Sequence, residues 1–166
     1  MDGEPWSLRV MTDPVQKPSV TAKRKAARLM AVQAVYQMAV NFKEAPFVVD
    51  EYLFLRTNME VDGETMVEPD GALFKDIVMG VADRRDDLTN IVNANRKARE
   101  GATHADEPLL MAVLLCGAYE LLARLDTDYP IVISGYVDVA KAFFSGQEPN
   151  LINAVLDSAR KVTRAA

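Results

Sequence analysis

The apolar run from Leu109 to Tyr119 constrains the fold of this chain more than any other segment. Its eleven residues carry no charge, and they are fewer than the roughly 18 to 20 apolar residues that a membrane-spanning helix requires. A helix that is apolar on every side must be surrounded by other elements. We therefore predict that a helix from Pro108 to about Leu125 is the buried axis of the C-terminal half.

Apolar residues elsewhere in the chain recur at helical spacing, whereas sustained alternation and Asn-Gly or Asp-Gly hairpin turns are absent. These patterns predict an all-α fold. The predicted helices run from Thr21, as N-cap, to about Asn41, from Pro46 to about Met59, from Gly71 to about Asn95 as one helix or a pair, from Pro108 to about Leu125, from Pro130 to about Phe144 and from Pro149 to about Val162.

The 166 residues are enough for one globular domain with its own core. Residues 1–20 contain three prolines and little periodicity, so we predict a flexible leader before a single domain over residues 21–166. Residues 61–71 have the composition of a solvated loop. The segment Arg96 to Asp106 is predicted to link an N-terminal bundle, about 21–98, to a C-terminal bundle, about 105–164.

The sequence contains few residues or motifs that could support catalysis. The one histidine, His104, has no Cys, Ser or carboxylate at a motif spacing, which favours a surface histidine over a base or zinc ligand. No two glycines are closer than the eight positions between Gly63 and Gly71, which excludes both glycine-rich phosphate-binding loops. We predict that the lone Cys116 is buried and that the protein resides in a reducing compartment such as the cytoplasm. We expect no enzyme activity, no metal and no cofactor.

The charge of the chain is strongly polarised. Between Pro14 and Lys43 there are six basic residues and no acidic one, so this segment carries +6 and, because the whole chain is −5, the remainder carries −11. Four of the six cations cluster at the start of the first predicted helix: Lys23, Arg24, Lys25 and Arg28. Cations are unfavourable at a helix N-terminus, where free N–H groups favour an anion such as a phosphate. An ordinary solvated helix end is the alternative.

The first predicted helix is apolar on two faces, one with Leu29, Val32 and Tyr36 and the other with Met30 and Met38. Such a helix is packed on two sides. It is therefore either central to the fold or half buried and half offered to a partner, which could be another protein or a second copy of the chain in a homodimer.

Several blocks resemble the NusB family of bacterial transcription antitermination factors. The block Lys23–Gln37 (KRKAARLMAVQAVYQ) resembles the family's opening, where an arginine-rich start leads into Ala-Val-Gln-Ala-Leu-Tyr. Further similar blocks follow in the family's order: Phe74–Val81 (FKDIVMGV), Gly117–Leu122 (GAYELL), Val137–Phe143 (VDVAKAF) and Ile152–Asp157 (INAVLD). The resemblance implies an all-helical fold of two packed bundles.

The resemblance also implies a function without catalysis. Members of this family pair with the ribosomal small-subunit protein NusE and bind the boxA RNA element of ribosomal-RNA leader transcripts, within the antitermination complex of RNA polymerase. By resemblance, Tyr36 would lie at the partner interface, with a core tyrosine as the alternative. The RNA-binding residues would be Lys23, Arg24, Lys25, Arg28, Asn150 and Leu151.

Three positions depart from the family pattern. Leu151 replaces a phenylalanine that the family places against RNA, and an aliphatic side chain cannot stack on a base. Leu115 replaces an arginine and Gly135 replaces a glutamate, which we interpret as the joint loss of one buried ion pair. Two alternatives stay open. The departures suggest a divergent protein-binding or dimerisation module that retains the fold, and the other alternative is an accessory RNA-binding domain like that of certain ribosomal-RNA methyltransferases.

Overall fold

The structure is a computed structural model that describes residues 19–56, 60–61, 64–65, 67–97 and 107–164. The predicted leader over residues 1–18, most of the predicted linker, and His104 lie outside these residues. The helices are α1 (Val20–Asn41), α2 (Ala45–Arg56), α3 (Gly71–Asp83), α4 (Arg85–Lys97), α5 (Pro108–Ala123), α6 (Tyr129–Phe143) and α7 (Glu148–Thr163). The all-α prediction is confirmed.

The segment predicted as a loop contains a short antiparallel pair, β1 (Glu60–Val61) and β2 (Glu64–Thr65), with Glu60 opposite Thr65. A ladder of two residues per strand has no room for the alternation by which strands are recognised in a sequence. Where one helix or a pair was predicted over 71–95, the structure has two helices, α3 and α4, which are separated at Arg84.

The predicted start of α1 is wrong by two residues. Ser19, not Thr21, is the N-cap, and its hydroxyl oxygen accepts a hydrogen bond from the Ala22 N–H at 3.0 Å. Both residue types cap helices well, so the sequence alone did not separate them. Ser19 and Val20 therefore belong to the start of α1 rather than to the leader. Arg96 and Lys97, assigned to the linker, are likewise the last residues of α4.

Helix α5 is buried as its apolar run predicts, but it is the axis of the whole described fold rather than of the C-terminal half alone. Every residue from Ala112 to Leu121 is buried, and the helix packs against α1, α3, α4, α6 and α7. Cys116 is buried on it as a free thiol, and burial, followed by the charge of Glu120, raises the pKa of that thiol. Helix α1 packs against α2, α3, α5 and α6. Its N-terminal part lies beside Asp70 at the start of α3, whose N–H donates to the Lys23 carbonyl, and beside Asp138 on α6, which pairs with Lys25.

Candidate nucleic-acid interface

The first two turns of α1 present three cations in a row. The side chain of Lys25 is 58% exposed and that of Arg24 is 37% exposed, while Lys23 is partly exposed. The first turn of α1 contains no acidic residue. Ser19 already accepts hydrogen bonds from the Ala22 and Lys23 N–H groups, whereas the Val20 and Thr21 N–H groups and the three cations act in the same direction on a nearby anion. We call Lys23, Arg24 and Lys25 the basic turn.

Two of the three cations face a carboxylate from another element. The Arg24 Nε atom lies 4.0 Å from Asp70 Oδ2 at the start of α3, and the Lys25 Nζ atom lies 3.5 Å from Asp138 Oδ2 on α6. Lys23 has no acidic partner in the described part of the chain. Its carbonyl accepts a hydrogen bond from the Asp70 N–H at 3.0 Å, which fixes the basic turn to the start of α3.

Arg28 is not part of this surface. It is 3% exposed, and its Nε and Nη2 atoms donate hydrogen bonds to Glu120 Oε2 at 2.7 Å and Oε1 at 3.1 Å. The Tyr136 hydroxyl donates to the same Oε2 at 2.6 Å. Direct contact between Arg28 and RNA, predicted from its place in the basic run, does not agree with this burial. The guanidinium is directed inward because a buried carboxylate on α5 requires a cation.

The pKa values of the network reflect its depth. Burial by itself lowers the pKa of Arg28, but the hydrogen bond and the charge of Glu120 outweigh burial and raise it, so the arginine stays charged. Burial, then the charge of Glu120, raises the pKa of Tyr136 well above its ordinary value of 10. The hydroxyl therefore stays protonated and acts as a donor to the carboxylate.

Gly135 on α6 leaves the space that Arg28 occupies. A Cβ atom at Gly135 would lie 3.1 Å from Arg28 Cδ and 3.2 Å from Nη1, closer than most such contacts. Leu115, the other departure, is 1% exposed in the core. The interior thus keeps one buried ion pair, that of Arg28 with Glu120. The joint loss of another ion pair at positions 115 and 135 stays a prediction.

Asn150 and Leu151 lie apart from the basic turn. They belong to the first turn of α7, and no described Cα atom of α7 comes within 8 Å of one in α1. Asn150 is exposed and its side-chain amide donates to Gln147 Oε1 at 3.2 Å, while Leu151 is half buried against the core. An RNA that touches both places must therefore extend over the surface between α1 and α7.

Tyr36 is half buried on the C-terminal half of α1 and packs against the core with part of its ring.

Ala39, one helical turn further, lines two neighbouring depressions. The larger, of about 670 Å³, is lined by the charged residues Lys43, Glu44, Asp83 and Arg85 and by apolar residues from α1, α3, the α1–α2 connection and the start of α2. The apolar residues are Met38, Ala39, Phe42, Ala45, Pro46, Met79 and Ala82. Phe42 adopts the left-handed conformation (φ 55°) and is 91% exposed. This end of α1 is an open surface on which apolar and charged side chains are mixed.

Sequence reasoning missed the partners Glu120, Asp70 and Asp138. A signal existed for Glu120, since it directly follows an eleven-residue apolar run and a buried carboxylate needs a cation. No spacing in the sequence relates Asp138 to Lys25 or Asp70 to Arg24. Those contacts depend on how α3 and α6 pack against α1.

Two absences hold for the described ranges of the chain. None of their helices is long and apolar enough to cross a membrane. They also contain no group of three or more His, Cys, Asp or Glu side chains arranged to hold a metal ion.

Comparisons with known proteins agree with the fold and with the resemblance in sequence. The NusB family matches residues 25–161. The transcription antitermination protein NusB of Bartonella henselae is 39% identical over 147 residues, covering 89% of this chain and 92% of that protein. The NusB of Rhizobium johnstonii is 38% identical over 153 residues, covering 92% and 95%.

Among solved structures, T. maritima NusB superposes with a TM-score of 0.66 at 16% identity, covering 88% of this chain and 93% of that one. At that identity the superposition is evidence for the fold alone. The sequence matches, by contrast, extend over nearly the full length of the relatives. The family match begins at Lys25, the last residue of the basic turn, and it includes Tyr119 and Glu120 on α5. The chain belongs to the NusB family.

Proposed function

We propose that this protein is an RNA-binding transcription antitermination factor, which pairs with NusE and binds boxA RNA of ribosomal-RNA leader transcripts in the cytoplasm. The relatives named transcription antitermination protein support the role. The observation that carries RNA binding is the basic turn, three consecutive cations at the N-terminus of a 22-residue helix with no acid in its first turn. In an otherwise acidic chain, this arrangement confines polyanion binding to one place.

In this proposal Lys23, Arg24 and Lys25 contact phosphates, and the free N–H groups at the start of α1 add hydrogen bonds. Arg28 is a positioning residue, because its ion pair with Glu120 fixes α1 on α5 one turn after the basic turn. Asn150 and Leu151 form a second contact at the start of α7, where the exposed amide of Asn150 can reach a base or the backbone.

NusE is proposed to bind the surface around Tyr36. Half-buried tyrosines combine a large apolar area with a hydroxyl that can reach a partner, which is why interfaces are rich in them. The depression lined by Met38, Ala39 and Met79 lies on the same half of α1 and supplies methionine side chains that adapt to a partner. RNA and NusE would then occupy opposite ends of one helix, so both can be bound at once by the antitermination complex of RNA polymerase.

A gel-shift experiment tests the proposal. The purified protein is titrated onto a boxA RNA and a scrambled RNA of the same length, with and without NusE. We expect binding to boxA in preference to the scrambled RNA, strengthened by NusE. Two double variants are compared. Lys23→Ala with Lys25→Ala should abolish the shift. Lys75→Ala with Lys161→Ala, which removes exposed cations on α3 and α7, should retain it.

The other outcomes identify the alternatives. Binding of NusE or self-association without RNA binding would indicate a protein-binding or dimerisation module. RNA binding that is indifferent to NusE and to boxA would indicate an accessory domain for an enzyme that acts on ribosomal RNA. Either result would overturn the boxA proposal.

A further inference from the structure

The two carboxylates that face the basic turn have no role in the function proposed so far. We propose that Asp70 and Asp138 set the RNA affinity of the basic turn, by competing with RNA phosphates for Arg24 and Lys25. This inference rests on the proposed function, since it concerns the regulation of the same site.

The Lys25–Asp138 pair is a surface contact. Its side chains are 58% and 44% exposed, and their charged atoms are 3.5 Å apart. Ion pairs this exposed contribute little to the stability of a fold. A phosphate that approaches Lys25 nevertheless meets the negative charge of Asp138 at the same place. Binding therefore requires either that Lys25 leaves Asp138 or that the phosphate accepts a like charge beside it.

Asp70 competes in a different way, because its carboxylate is fixed. The Oδ1 atom accepts a hydrogen bond from the Leu73 N–H at 3.0 Å and caps α3, so the group cannot turn away from the basic turn. The Oδ2 atom lies 4.0 Å from Arg24 Nε, which makes no hydrogen bond in the described part of the chain. The contact is one of charge alone. Arg24 can thus turn to a phosphate without breaking a hydrogen bond, but Asp70 remains as a like charge near the RNA.

Lys23 differs from its two neighbours, since no described acidic side chain faces it. It is the open contact through which RNA first engages, and the two paired cations follow by exchanging a carboxylate for a phosphate. The arrangement lowers affinity for any single polyanion and favours ligands that engage all three cations together. This would limit the binding of unrelated RNA.

The test is RNA affinity of Asp70→Asn, Asp138→Asn and the double variant, measured on boxA RNA with NusE at about 0.1 M and 0.5 M salt. Asparagine caps helices as well as aspartate does, so Asp70→Asn keeps the α3 cap and removes only the charge. The matched control is Asp50→Asn, an exposed carboxylate on α2 that makes no ion pair or side-chain hydrogen bond within the described residues. Thermal unfolding of all four variants checks that the fold is unchanged.

We expect each single change to raise RNA affinity by about two- to five-fold at 0.1 M salt, which is the range of an exposed ion pair. The double variant should gain more, Asp50→Asn less than about two-fold, and all gains should shrink at 0.5 M because charges are then screened over a shorter distance. A gain in Asp50→Asn equal to the others would overturn the inference by showing an effect of net charge. Lower affinity in Asp70→Asn or Asp138→Asn would overturn it by showing that the carboxylates hold the cations in place for RNA. Failure of the unchanged protein to bind boxA RNA would instead overturn the proposed function, and the inference with it.

Discussion

The guanidinium of Arg28 on α1 makes two hydrogen bonds to the carboxylate of Glu120 on α5, a residue 92 positions later in the chain. Neither side chain is more than 4% exposed. A buried pair of this kind is weakly favourable at most, because both charges lose their hydration, but breaking it leaves a charge uncompensated in the core. The pair therefore specifies how α1 lies on α5. Through the Tyr136 hydroxyl it also ties α6 to the same carboxylate.

Arg28→Met should destabilise the protein by roughly 3–5 kcal/mol, since Glu120 is left without its cation. Adding Glu120→Gln to Arg28→Met should recover much of that loss, because the amide oxygen still accepts from Tyr136 and no buried charge remains. Denaturant unfolding of both single variants and the double variant measures the coupling. Additive losses would show that the pair does not act as a unit.

The helices could be predicted from the sequence because each signal was local. The apolar run ending at Tyr119 identified α5, and prolines at positions 46, 108, 130 and 149 marked the first turns of four helices. Arg28 could not be assigned in this way. Within the sequence it is one more cation in a basic run, and its burial depends on Glu120 and on the missing side chain of Gly135. Which cations of a run are exposed is decided by packing between elements that are far apart in the chain.

The salt dependence of RNA binding should reflect three cations rather than four. Counterion release from single-stranded RNA by Lys23, Arg24 and Lys25 predicts a slope of log K against log salt of about −2. Arg24→Ala with Lys25→Ala should reduce it to about −0.7 and leave α1 intact, because alanine is the best helix former. The measurement is a titration of affinity from about 50 to 300 mM salt.

The control for that titration is Lys75→Ala with Lys161→Ala, which removes the same charge from exposed sites on other helices. Its slope should stay close to that of the unchanged protein. An unchanged slope in Arg24→Ala with Lys25→Ala would place the RNA elsewhere on the molecule.

Tyr36→Asp should weaken NusE binding by at least about tenfold, since tyrosines are among the residues that contribute most at interfaces. We expect a smaller effect on folding, because the side chain is only half buried. Affinity and melting temperature are measured together, with Leu125→Asp, an exposed apolar residue outside α1, as the matched change. If Tyr36→Asp leaves no folded monomer, Tyr36 is a core residue instead.

Tyr119 should make stability depend on pH in the alkaline range. Its hydroxyl donates to Asp76 Oδ1 at 2.8 Å, and burial, then this hydrogen bond, raises the pKa of Tyr119 to about 12. Folding therefore favours the protonated form, and this stabilisation is complete below pH 10 and lost as the pH rises toward about 12. Unfolding experiments between pH 9 and 12 should show a shallower decline in Tyr119→Phe, which has no group to ionise. An equal decline in both proteins would contradict the assignment.

Leu151→Phe should increase RNA affinity, because an aromatic ring at the start of α7 can stack on a base where the leucine cannot. Stacking is worth about 1–3 kcal/mol per base, and it releases few ions, so the salt slope should not change. Because Leu151 is half buried, a phenylalanine ring at this position can lie on the surface toward RNA or pack into the core. Leu151→Met is the control, since it adds a flexible apolar group without a ring face. Higher affinity in Leu151→Phe alone, at an unchanged melting temperature, would place RNA at α7. A changed melting temperature with unchanged affinity would show that the ring packs into the core and that RNA does not contact α7.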